Sequence, residues 1–190
     1  MANNDFTATK VITGKVRFSY LHVFEPAAVA EGQDKKYSVS LIIPKSDKKT
    51  IAAINKAIEA AKEAGKAKLG GKIPANLKTP LRDGDSERPE DEAYAEAYFI
   101  NANCSTKPGL VKKTSMGLVQ ITDPEDLYSG CYGVASITFY AFNTSGNKGI
   151  ACGLNNLLKL EDGESLGSRV SAETDFADFA EAGEEEDDML

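Results

Sequence analysis

The stretch CYGVASITFYAFNTSGNKGIACGLNNLLKL, residues 131–160, decides the fold. Its first part, residues 131–142, alternates: Ile137 and Phe139 fall on one face, Tyr132 and Tyr140 on the other. A period of two is the mark of a β-strand, and this one is expected to be the longest in the chain. Residues 143–147, NTSGN, supply the small and polar residues of a tight hairpin loop. The chain then returns through KGIACGLNNLLKL, residues 148–160. Gly133, Gly149 and Gly153 mark positions where these strands bend or bulge.

The same alternation recurs outward from this hairpin. In TGKVRFSYLHVF, residues 13–24, Val16, Phe18 and Tyr20 point one way and Lys15, Arg17 and Ser19 the other. In KYSVSLIIP, residues 36–44, Tyr37, Val39, Leu41 and Ile43 share a side and Pro44 ends the strand. YAEAYFINANC, residues 94–104, reads as a strand with Tyr94 and Tyr98 on one side, and GLVQITDPEDLYSG, residues 117–130, as a short strand and a turn. Before them residues 74–93 are rich in Pro, Gly and acid, the composition of a long loop. One segment has the other period. After Ser46, the expected N-cap, Ile51, Ile54, Ile58 and Ala61 form a helical stripe, and Gly70 with Gly71 is the expected stop. The lysines of this helix read best as a solvated face.

One helix among five to seven strands predicts a mainly β protein: a β-barrel with one inserted helix. The OB-fold, a five-stranded core with extra strands or hairpins, is the commonest example. The expected organisation is a loose N-terminus over residues 1–9, one domain over 10–170, and a disordered acidic tail over 171–190.

An apolar fraction of 42% suffices for a core. No apolar run reaches the roughly 18 residues of a membrane span, and the N-terminus lacks a secretory pattern, so no membrane association is expected. Three well-separated cysteines, Cys104, Cys131 and Cys152, fit no disulfide framework or zinc pattern and suggest a reducing compartment. The net charge of −7 conceals an asymmetry. Residues 171–190 hold nine of the 29 acidic residues and no basic one, which leaves 20 acidic against 22 basic residues in the remainder. Residues 1–78 alone have 14 basic and 7 acidic residues. A basic body joined to an acidic tail attracts anions with one part and resembles one with the other.

Catalytic constellations are not evident. His22 is the only histidine and sits between Leu21 and Val23 in a strand, where a structural role is expected. GKAKLGGK, residues 65–72, fails the phosphate-loop pattern, because Gly71 stands where Lys is needed. Asp83, Asp85, Glu87, Glu90, Asp91 and Glu92 are dense, but Arg88 occupies the place of the calcium loop's glycine. No enzyme activity, cofactor or metal is expected.

What remains is cationic and aromatic side chains interleaved on strands. Single-stranded nucleic acid needs cations along the phosphates and flat side chains under the bases. Lys15, Arg17 and Tyr20 on the first strand qualify, as do Lys35, Lys36 and Tyr37 on the second. Tyr94, Tyr98 and Phe99 on the third, then Lys107, Lys112 and Lys113, and finally Tyr132 and Tyr140, complete the candidates. The alternative stays open residue by residue: Phe18, Tyr20, Phe99, Phe139 and Phe142 could all fill the core.

The chain resembles the phage-encoded single-stranded DNA-binding proteins over about residues 10–179. The resemblance rests on GKVRFSYLHVFEP, KYSVSLIIPK, LRDGDSERPEDEAYAEAYFINA, KPGL, LYSGCYGVASITFYAFNTSGNKGIACGLNNL, LEDGESLGSR and a late DF. It implies an OB-fold that binds single strands without sequence preference, in phage replication or recombination within the host cytoplasm, followed by a flexible acidic tail. In such proteins the tail often ends in Phe, whereas this chain ends Glu184, Glu185, Glu186, Asp187, Asp188, Met189, Leu190. Met189 and Leu190 fill a partner's pocket, or Phe176 and Phe179 do the recruiting, or the tail serves only as an electrostatic competitor. Polymerase, helicase or recombinase are the expected partners, and self-association is open. Two rival readings are a metal-dependent nuclease built on Asp83–Glu92 and a virion structural or assembly protein.

Overall fold

The computed structural model describes residues 8–28 and 31–166. Nine strands run in the order β1 (Lys10–Ile12), β2 (Val16–Ala27), β3 (Lys36–Pro44), β4 (Arg82–Asp83), β5 (Ala97–Cys104), β6 (Gly109–Thr114), β7 (Gly117–Gln120), β8 (Tyr132–Thr144) and β9 (Asn147–Glu161). Helix α1 (Lys48–Ala64) follows β3, and a single turn, α2 (Gly84–Glu87), follows β4.

Five strands close on themselves. β8 pairs with β2, β2 with β3 and β3 with β5, all antiparallel; β5 pairs in parallel with β9, and β9 returns antiparallel to β8. A closed ring leaves none of these five as a free edge. The remaining strands are additions: β1 on β8, β4 on β5, and the β6–β7 hairpin on β9. The fold is therefore mainly β, with a closed five-stranded ring and one long helix.

The hairpin of residues 131–160 is the spine. Thr144 pairs with Asn147 across a two-residue loop in which Ser145 (φ 53°) and Gly146 (φ 84°) are both left-handed. That mirror-image turn matches the strand twist. Of the three glycines expected to bend the strands, Gly133 has the clearest reason: a Cβ there would strike the Leu158 carbonyl and lie 2.9 Å from the Phe18 ring. It is where β2, β8 and β9 approach at ring closure.

The core inside the ring contains Phe18, Leu41, Ile43, Ile100, Ile137, Phe139 and Leu157, all buried. Helix α1 contributes Ile54, Ala57, Ile58 and Ala61 to it and packs on β8, β1 and β9. Its cap is Asp47 rather than Ser46: Asp47 Oδ1 accepts from the Thr50 amide at 3.2 Å and Oδ2 from the Thr50 hydroxyl at 2.6 Å. The helix also stops earlier than expected, at Gly65, ahead of the Gly70–Gly71 pair; a side chain at Gly65 would collide with Ala141 of β8.

Two further expectations change. Residues 74–93 are not plain loop, since they hold β4, α2 and the start of a 3₁₀ turn at Glu92–Tyr94. Asp83 and Asp91 cap the two short helical turns, accepting from the amides of Asp85 and Ala93. The alternation of β2 breaks at Tyr20. Ser19 pairs with Ser40 and His22 with Ser38, so β2 has one extra residue, and Tyr20 adopts φ 46°. This bulge takes Tyr20 out of the inward series of Val16 and Phe18 and leaves it 54% exposed.

Candidate nucleic-acid interface

Residues paired across β2, β3 and β5 share a face. Arg17, Ile42 and Phe99 form one row, Ser19, Ser40 and Asn101 the next, and His22, Ser38 and Asn103 a third. This is the face turned away from the core. At one end of it the cations gather around Tyr132. Lys15 Nζ lies 5.7 Å and Arg17 Cζ 5.3 Å from the Tyr132 ring centre, both within cation–π range. These three line an open cleft of about 670 Å³ together with Lys45. At the other end Tyr20, His22, Lys36, Ser38, Asn101 and Asn103 border a cleft of about 910 Å³, whose wall includes Thr144 at the tip of the spine hairpin.

The cations at the first end are engaged. Lys15 Nζ donates to Glu161 Oε1 at 3.0 Å. Arg17 donates to the Gly130 carbonyl at 3.0 Å and the Glu164 carbonyl at 2.7 Å. Lys45 sits between Asp83 at 2.9 Å and Asp85 at 2.8 Å, with its Nζ 5.1 Å from the Tyr98 ring centre. The Asp85 and Asp83 hydrogen bonds push the Lys45 ammonium well above its usual range, and Lys45 holds both carboxyls below theirs. The segment after β9 crosses this same face. Leu166 donates its amide to the Ser129 carbonyl at 2.8 Å and packs against Ile42, Tyr94, Ala97 and Phe99. The last described residue, Leu166, thus lies on the outer face of β3 and β5. Phe176, Phe179, Glu184–Asp188, Met189 and Leu190 lie outside the described residues.

The structure separates the sequence candidates. It brings Lys15, Arg17, Tyr20, Lys36 and Tyr132 to one face, with exposed Lys35 beside Lys36. Tyr94 and Phe99 are corrections, because both side chains are buried, at 0% and 2% exposure. Tyr94 lies in the 3₁₀ turn, not in a strand; its hydroxyl donates to Ser40 Oγ at 2.9 Å and its ring meets Phe99 edge-on at 5.1 Å. A ring closed off on all sides offers no plane to a base. Tyr37 and Tyr98 are half-buried and fall in the rows that face inward with Val39 and Ile43. Tyr140 is exposed but lies eight residues along β8 from Tyr132, in a shallow hollow with Lys68 and Asn143. Lys112 is paired with Asp126 at 2.8 Å, and Lys113 lies on the exposed β6–β7 hairpin, both away from β2 and β3. Lys107 lies over the Phe24 ring at 5.6 Å.

Sequence reasoning missed Lys45, His22, Asn101, Asn103 and Arg88. Cross-strand pairing exposes the Asn and His positions, and only the return of the acidic loop exposes the other two. The loop's carboxylates are likewise committed: Asp83 and Asp85 to Lys45, Glu87 to Arg82 at 2.8 Å, Asp91 to a cap.

A five-stranded ring carrying aromatic and cationic side chains on the outer face of its first three strands defines an OB-type protein. The chain belongs to the Enterobacter phage Enc34 ssDNA-binding protein family, whose model matches residues 9–190. It is 30% identical to protein p50 of Acyrthosiphon pisum secondary endosymbiont phage 1 over 185 residues, covering 93% of this chain and 97% of the relative. Among solved structures it is similar to the single-stranded DNA-binding protein of bacteriophage Enc34 in complex with ssDNA, with TM-score 0.69, 26% identity, and 84% and 90% of the two chains covered. The gp2.5 single-stranded DNA-binding protein of bacteriophage T7 shares the fold, with TM-score 0.57 and 15% identity over 89% and 93% of the chains.

Proposed function

We propose that this protein binds single-stranded DNA without sequence preference during phage replication or recombination in the host cytoplasm. The observation that carries the reading is the gathering of Lys15, Arg17, Tyr20, Lys36 and Tyr132 on one outer face, in a chain of the Enc34 single-stranded DNA-binding family. Phosphates replace the Glu161 carboxylate and the two carbonyls that now hold Lys15 and Arg17, releasing counterions from the strand. Bases stack on the exposed aromatic rings, chiefly Tyr20.

The acidic tail acts on the same face. Because residue 166 packs beside Ile42 and Phe99, the carboxylates that follow are tethered close to the cations, where effective concentration is high. DNA displaces them and frees the tail for a polymerase, helicase or recombinase. The test is fluorescence anisotropy of a labelled 30-nucleotide oligo-dT, with the full chain and with residues 1–170. Salt-sensitive binding, weak binding to duplex and tighter binding on truncation are expected. Unchanged affinity on truncation removes the tail from competition. No binding by either form overturns the reading.

A further inference from the structure

Arg88 follows α2 in the most acidic part of the described chain, beside Glu87, Glu90, Asp91 and Glu92. It forms an ion pair with none of the described carboxylates. Its guanidinium instead lies across three rings, 4.9 Å from the centre of Tyr94, 5.0 Å from Phe99 and 5.3 Å from Tyr20. Among the described residues its only side-chain hydrogen bond is a long one, from Nη1 to the Tyr20 hydroxyl at 3.5 Å. Its Nε is, among the described residues, the only buried side-chain nitrogen or oxygen without a partner. An arginine that ignores adjacent acids and leaves a donor unfilled is held by cation–π attraction to the rings, which keeps its planar guanidinium out of any ion pair with the described carboxylates.

The position of that plane matters. Tyr94 and Phe99 are sealed beneath the surface, and Arg88 covers them next to the exposed Tyr20 ring. Guanidinium planes stack on nucleobases as aromatic rings do, and also carry hydrogen-bond donors for a base edge. We infer that Arg88 contacts a base directly: its guanidinium extends the Tyr20 ring into a two-residue stacking platform, with its Nη donors directed to acceptors on the base. The inference rests on the single-stranded DNA reading above and adds the acidic loop to that site.

The experiment uses the full-length protein and its R88A and R88K variants, against labelled oligo-dT and an abasic oligonucleotide of equal length, with a thermal melt of each protein. Lysine keeps the charge and loses the plane. Both variants are expected to lose about tenfold or more in affinity for oligo-dT, the scale of one lost base stack, and to bind the abasic strand within about twofold of wild type. Equal losses on both oligonucleotides assign Arg88 to phosphate binding or to the fold and overturn the inference, as does unchanged oligo-dT binding. Should R88A fail to fold, R88K decides alone. Failure of the wild type to bind oligo-dT is a different outcome, since it removes the underlying function as well.

Discussion

Tyr20 shows how one residue can serve a surface at the expense of the chain. A non-glycine residue at φ 46° costs on the order of 1 kcal/mol or more, and here the bulge that imposes it turns an aromatic ring out to solvent. Tyr20→Gly accepts that backbone without strain and deletes the ring. We expect it to bind oligo-dT roughly 5- to 150-fold more weakly, the equivalent of about 1–3 kcal/mol of stacking, with no loss of thermal stability. A variant that binds like wild type removes Tyr20 from the interface. Tyr94 predicts the converse. Tyr94→Phe deletes the hydroxyl that Ser40 accepts from, at a cost of about 0.5–1.5 kcal/mol in a denaturant titration, and leaves DNA affinity unchanged. Weakened binding without destabilisation would contradict its place in the core.

At the level of elements, the acidic loop is latched to the end of β3. Asp83 and Asp85 owe their depressed carboxyl pKa values first to the Lys45 hydrogen bond, and Asp85 also accepts the Glu96 amide at 2.9 Å. A carboxyl depressed in the folded state stabilises the latch above its unfolded pKa, and that contribution is lost as pH falls through the folded value. The latch is therefore complete at neutral pH and opens only below the ordinary value of 3.8. An NMR titration of the Glu96 amide should show a midpoint below that value, and Lys45→Met should move it upward. A wild-type midpoint at or above the ordinary value would mean the latch does not form in solution. The ring has its own vulnerable point. Gly133→Ala forces a methyl into the Leu158 carbonyl and the Phe18 ring, and should destabilise the fold by about 1–3 kcal/mol or more in thermal or denaturant melts.

For the whole molecule, the proposed function makes the interface a competition between two polyanions for one set of cations. Lys15 and Arg17 are occupied in the free protein by the segment that leads into the tail, so bound DNA must replace contacts that already exist. If both residues take phosphates, the double variant Lys15→Ala, Arg17→Ala should bind oligo-dT more weakly and lower the slope of log affinity against log salt by about 1.4, near 0.7 per phosphate contact on a single strand. A slope identical to wild type would show that these cations serve the C-terminal segment and not the nucleic acid.

Much of this was legible in the residues themselves. Strand period, the hairpin at NTSGN and the apolar stripe of the helix are local properties, and local chemistry determined a mainly β protein with one long helix. The separation of a basic body from an acidic tail is likewise a property of composition. The exposure of individual aromatics was not local. Whether Tyr94 stacks on a base or fills a core depends on the 3₁₀ turn that folds it against Phe99 and Ile42, and alternation alone placed it on a strand. Alternation likewise puts Tyr20, a binding candidate, in the series of Val16 and Phe18, since a one-residue bulge reverses a face without any mark in the period. Lys45 and Asp85, and likewise Arg88 and Tyr20, lie 40 or more residues apart and are brought together by the return of the acidic loop to β3 and β5. Local sequence determined which elements form; only the closing of the ring, which makes distant strands neighbours, decided which side chains meet on its outer face.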